Sequence, residues 1–125
     1  FLAEMDIPVI LPQIHRLPSR ADAGIYDPFE LPAKLHAAGI TVAFSYDDLQ
    51  EARNLPFFAG TAIAHGLDPE AALAMVTSNA AIVLGIDDRT GYLVKGLDAN
   101  IVISSGDLLD MSTNDVSHAF IQGRG

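Results

Sequence analysis

The chain has no cysteine, which excludes disulfides and thiolate metal ligands and leaves cytosol and periplasm both open. Positive charge is scarce: 7 Lys and Arg stand against 16 Asp and Glu, for a net charge of -9. The basic residues are scattered rather than gathered, which argues against nucleic acid and against an anionic membrane surface as partners. Long apolar runs are also missing; none approaches the roughly 18 residues that a membrane span needs, and no signal peptide is visible. The sequence opens on Phe1 rather than methionine, and we read it as a piece of something longer.

What is present suits a small domain. At 125 residues and 50% hydrophobic content the chain can bury a core. Its organising stretch is Ile40-Thr41-Val42-Ala43-Phe44-Ser45-Tyr46-Asp47-Asp48, an apolar, β-branched run that stops at two carboxylates. A buried parallel strand looks like this when its carboxyl end opens onto a site, and in parallel α/β folds ligands gather at that end.

Before it, Phe1 to Met5 reads as the end of a helix and Ile7-Pro8-Val9-Ile10-Leu11 as a short buried strand, its proline near the start. From Gln13 to Pro28 no period of 2 or 3.6 is visible, and the segment is expected to be a loop on the same rim as Asp47. His15, Arg16 and Arg20 on it are candidates for touching a substrate; the plainer reading is solvated loop charge. Leu31, Leu35 and Ala38 repeat at helical spacing, with Pro32 in a first turn and Gly39 as terminator. Strand, helix and strand in this order predict a parallel βαβ unit.

After Asp48, Leu49 to Arg53 reads as a polar loop and Asn54-Leu55-Pro56 as a cap opening a helix that closes at Gly66. Asp68-Pro69-Glu70 announces a second helix through Leu73 and Val76. Asn79 is expected to cap a short third one, Ala80 to Leu84, closed by Gly85. Short β-like runs then follow at Tyr92 to Val94, Asn100 to Ser104 and Val116 to Gln122, a small β module that completes a sheet begun elsewhere.

Few residues carry chemistry. Asp47 is the first candidate, although it or Asp48 suits equally well as a cap. The four histidines, His15, His36, His65 and His118, form no pair at ligand spacing. Gly60, Gly66 and Gly85 make no phosphate-cradling pattern, and Ser45 lacks the glycines of a nucleophile elbow.

From Ile7 onward the order of motifs resembles the C-terminal part of the amidohydrolase superfamily, metal-dependent hydrolases on a (β/α)8 TIM-like barrel, and in particular its imidazolonepropionase-like members. Val42 to Asp47 is similar to the family's eighth barrel strand, which ends in a catalytic aspartate. Ala52 to Pro56, Gly66 to Leu73, Val76 to Ala81 and Leu84-Gly85 resemble the helices after it. Gly91-Tyr92-Leu93, Gly96 to Val102 and Phe120 to Arg124 resemble the closing β segment. Departures are Tyr46 where threonine is usual, Asn79-Ala80-Ala81 for Asn-Pro-Ala, and Asp98-Ala99-Asn100 for Asp-Ala-Asp.

The resemblance implies an α/β fold: residues 1–85 as the last two parallel strands and following helices of a barrel, and 86–125 as part of an accessory β-sandwich. It implies hydrolysis of C–N bonds, amide or cyclic amide, by metal-activated water, with Asp47 as both catalytic base and metal ligand and His15 and Arg16 touching the substrate. The family's His-x-His pair, its lysine or glutamate, and its later histidines are not in this chain. A divalent ion, zinc by preference, is therefore expected in the parent protein, with none bound by this fragment, which is expected to be inactive alone. The partners expected are a small amide or peptide-like substrate, the missing N-terminal part of the same protein, and copies of itself in a homo-oligomer. A non-catalytic scaffold or interaction domain of the same fold is the alternative.

Overall fold

The computed structural model describes residues 1–125, Glu51 by its backbone alone. Two three-residue strands, β1 (Val9–Leu11) and β2 (Val42–Phe44), run parallel in the register Val9↔Val42, Ile10↔Ala43 and Leu11↔Phe44. Helix α1 (Asp27–Ala37) connects them, as a parallel pair requires. The expected βαβ unit is present. Its first strand starts at Val9 rather than Ile7, because Pro8 has no N–H to give and the Ile7 N–H turns back to the carbonyl of Leu2 at 3.0 Å. Phe1 to Met5 form turns, not a helix end.

Helix α1 begins a turn earlier than its apolar spacing predicts. Pro28 occupies the first turn, with Asp27 and Glu30 supplying the negative charge that a helix start favours. Pro32 therefore lies inside the helix. Its missing N–H costs one helical bond, and burial of both prolines holds the segment in place. At the other end the expectation holds: Gly39 adopts φ 76°, its N–H reaches the carbonyl of His36 at 2.9 Å, and the Ile40 N–H reaches that of Leu35 at 3.1 Å. Gly66 and Gly85 close the next helices the same way.

Beyond β2 the polar stretch is not a loop but a 3-10 helix, Leu49–Asn54, which leads directly into α2 (Leu55–Ala64). Asn54 stands at the start of α2 without a side-chain capping bond, so the backbone continuity of the 3-10 turn replaces the expected cap. Helix α3 (Pro69–Val76) follows its predicted signals: the Asp68 carboxylate accepts the Ala71 N–H at 3.0 Å, Pro69 leads and Glu70 adds charge. Helix α4 (Ser78–Leu84) starts ahead of Asn79, which leaves that side chain free for another task. Its amide donates to the carbonyl of Val42 at 2.9 Å, tying α4 to β2.

The core lies where α1, α2 and α3 meet β2, whose three residues are all buried. Phe58, 1% exposed, and Met75 are its largest fully buried members, so the Phe57-Phe58 pair serves packing through its second ring. On β1 the burial is one-sided, with Leu11 buried and Ile10 53% exposed. A parallel strand normally has both faces covered.

Residues after Gly85 form one antiparallel pair, β3 (Ile101–Ser104) and β4 (Val116–Phe120), with a bulge between Ile103 and Ser104. The expected run at Tyr92 to Val94 is not a strand; among the described residues it has no ladder partner. The β3–β4 connection returns to the helices as a strap. Leu109 enters the core at 5% exposure, its N–H held by Asp107 at 2.9 Å, while the Asn114 amide donates to the Leu108 carbonyl. Among the described residues no helix is long and apolar enough to cross a membrane.

Candidate active site

The register fixes which end of the parallel pair can carry a site. Leu11 is opposite Phe44, and the Ser45 N–H still donates to the Leu11 carbonyl at 2.8 Å, so the loops after β1 and β2 leave from one rim. Asp47 lies three residues past β2, in a bend, and is exposed. Among the described residues its carboxylate makes no hydrogen bond or ion pair. Asp48 takes the other role: in extended conformation (φ -135°, ψ 138°), it accepts the Gln50 N–H at 3.0 Å and caps the 3-10 helix. The ambiguity between the two carboxylates is thereby divided by the backbone.

On the β1 side, Ile14 is the anchor at 2% exposure, and the Arg16 N–H closes a tight turn on its carbonyl at 2.8 Å. That turn sends the neighbours apart. His15 packs edge-on against Phe58 and Phe29, with ring centroids 4.8 and 6.1 Å away, and its Nε2 lies 2.7 Å from Thr61 Oγ1 on α2. Arg16 instead faces a cleft of about 430 Å³ between the loop and α1, shared with Arg20, Asp22, Asp27 and Lys34.

Most charge in that cleft is already matched. Arg20 holds Asp22 and pulls its carboxyl below the ordinary 3.8, while Glu30 at 2.8 Å raises the Lys34 ammonium above 10.5. Arg16 has no ion pair among the described residues. Asp47, His15 and Arg16 thus share a rim, but among the described residues no hydrogen bond or ion pair joins either of the other two to Asp47.

The remaining histidines lie apart. His36 is on α1; His65 ends α2, 5.2 Å from the rings of both Tyr26 and Phe29; His118 stacks on Phe120 in β4. Among the described residues no three His, Asp or Glu side chains come together as a metal's donor set. Thr61, the partner of His15, was not foreseen; a threonine within an apolar helical run carries no signal of its own.

The sequence pattern of the amidohydrolase family matches residues 29–124. Among solved structures, an amidohydrolase from Thermotoga maritima is similar at 30% identity and a TM-score of 0.84, over 98% of this chain and 32% of that one. A second amidohydrolase structure is 23% identical with a TM-score of 0.72, over 98% of this chain and 35% of its own. A prolidase complexed with N-methylphosphonate-L-proline is 20% identical with a TM-score of 0.63, over 79% of this chain and 26% of its own. These two, below 25% identity, show the fold alone. No curated protein sequence matches the chain. The chain spans about a third of the length of the amidohydrolase structures that it matches. Its mixed α/β fold is thus that of a fragment of those structures, and since the family pattern spans residues 29–124, well over half of the chain, the chain belongs to the amidohydrolase family.

Proposed function

We propose that the chain is the C-terminal part of a metal-dependent hydrolase built on a (β/α)8 barrel, cleaving C–N bonds of amides or cyclic amides. In this reading β1 and β2 are the seventh and eighth barrel strands, residues 86–125 belong to an accessory β-sandwich, and the remaining walls come from further polypeptide of the same protein. Ring opening of the imidazolone kind and dipeptide cleavage of the prolidase kind both fall within the class. The observation that carries the reading is Asp47: an exposed carboxylate, unpartnered among the described residues, at the carboxyl end of a fully buried parallel strand, beside a second carboxylate that has taken over the capping.

A zinc ion in this family would lower the pKa of bound water and polarise the substrate carbonyl. One rim carboxylate is not its donor set, since a hydrolytic site needs about three protein ligands, so the described residues do not by themselves fit a metal ion. What they supply is a proton acceptor. Asp47 takes the proton of the attacking water as its oxygen bonds to the carbonyl carbon, then passes it to the nitrogen as the C–N bond breaks, leaving an acid and an amine. Arg16, facing its cleft, and His15, held by Thr61, line the same rim and would meet the substrate from the β1 side.

The test uses the complete polypeptide that contains this chain. Stoichiometric zinc and amidase activity, both lost in Asp47→Ala with the fold retained, are expected. A folded, metal-free and inactive complete protein would overturn the reading in favour of a scaffold, as would an Asp47→Ala variant of undiminished activity.

A further inference from the structure

Two carboxylates follow β2, and the backbone between its last ladder bond and the start of the next helix is very short. Ser45 is pinned on one side by its N–H bond to the Leu11 carbonyl, at 2.8 Å. Asp48 is pinned on the other by the bond from Gln50, at 3.0 Å. Only Tyr46 and Asp47 lie between these anchors, and neither the Asp47 carboxylate nor its backbone joins any other element by a hydrogen bond among the described residues. A side-chain acceptor at a helix start satisfies a donor that would otherwise be left open, and holds the cap residue in its extended conformation. Fixing Asp48 therefore fixes the direction in which the Asp47–Asp48 peptide leaves the rim.

We infer that Asp48 is a positioning residue for Asp47, acting through its capping bond and not through its charge. The inference rests on the reading of Asp47 as the proton acceptor. Without the cap, the two-residue span is anchored at one end only, and Asp47 samples orientations that do not face the attacking water. A proton acceptor has to lie within hydrogen-bond reach of the proton it takes, so lost orientation appears in kcat and leaves KM alone.

The experiment has two arms. In the complete polypeptide that contains this chain, backbone relaxation and HN–Hα couplings at Tyr46, Asp47 and Asp48 are measured for the wild type, Asp48→Ala, Asp48→Asn and Asp48→Ser. Asn and Ser keep an acceptor and lose the charge; Ala loses both. Expected are a loosened 46–48 segment and faster Gln50 amide exchange, by about fivefold or more, in Asp48→Ala alone. In the complete enzyme, kcat of Asp48→Ala falls by about five- to tenfold at constant KM, and Asp48→Asn restores it. Unchanged order and rate in Asp48→Ala would overturn the inference, and so would failure of Asp48→Asn to restore them, which would make the charge the active property. Should Asp48→Ala not fold, Asp48→Gly, whose backbone suits a cap without offering an acceptor, carries the same comparison. Asp47→Asn tests the other reading separately: if that variant retains full activity, the proton-acceptor role falls, whatever Asp48 does.

Discussion

Replacing Gly60 with alanine tests how closely the β3–β4 strap is seated on α2. A Cβ built on Gly60 lies 2.0 Å from the Leu109 carbonyl oxygen and 3.2 Å from its carbon. Ordinary contact lies near 3.4 Å, so the strap backbone has to retreat by more than an ångström. Asp107 holds the Leu109 N–H and Asn114 holds the Leu108 carbonyl, so the retreat draws Leu109 out of the core with them. The exchange favours helix formation by about 1 kcal/mol. Loss of Leu109 burial costs about 1.5–3 kcal/mol, to which the strain of the displaced strap adds. The net expectation is a destabilisation of about 1–3 kcal/mol, read from the urea midpoint at unchanged slope. Leu109→Ala alone should cost about 2–3 kcal/mol. In the double variant the burial of Leu109 is already lost and only the strain of the displaced strap remains, so Gly60→Ala should cost less there than in the wild type. A Gly60→Ala protein as stable as the wild type, or strictly additive costs in the double variant, would refute the argument.

Asn79→Ala should destabilise the chain by about 1–3 kcal/mol in the same urea assay, because the buried Val42 carbonyl loses its donor, and Asn79→Asp should be worse because it sets one acceptor against another. The Asp110 carboxyl lies below the ordinary 3.8 because it accepts the Ser112 N–H and then the Ser112 hydroxyl. A depressed carboxylate stabilises its turn above the unfolded value and loses that contribution as pH falls through the folded one. The Ser112 amide resonance should therefore titrate with a midpoint below 3.8 and stop titrating in Asp110→Asn; a midpoint at or above 3.8 would contradict the bonding described. The chain on its own should associate with further copies, since Ile10 is half exposed on a strand with an open edge, and a monodisperse monomer in light scattering would count against this.

The parts of the fold legible in the sequence are those set by local chemistry. Gly39, Gly66 and Gly85 mark helix ends because positive φ is cheap there for glycine, and Asp68-Pro69-Glu70 opens α3 because three start signals coincide. Local rules fail where distant contacts decide. A local rule places Pro32 in a first turn, whereas burial carries it inside α1. Asn79 has the side chain of a cap, yet it is spent on a carbonyl 37 residues away. At the rim, the carboxylate pair was legible as a pair. Which member caps follows from the dihedrals of Asp48, and those depend on the 3-10 turn that the polar stretch conceals. His15 and Arg16 are adjacent in sequence, and only the tight turn at Ile14 shows that one goes to α2 and the other to the α1 cleft.

The amide of Asn79 also bears on how a neighbouring strand can join β2. Thr41 and Ser45 spend their backbone groups on β1, so by alternation those of Val42 and Phe44 point to the opposite margin. There the first rung is already taken, because the Val42 oxygen is occupied from the side by α4. A newcomer zipping onto this margin finds its first vacant acceptor, among the described residues, at Phe44, and its register is thereby biased toward the end of the strand that leads to Asp47.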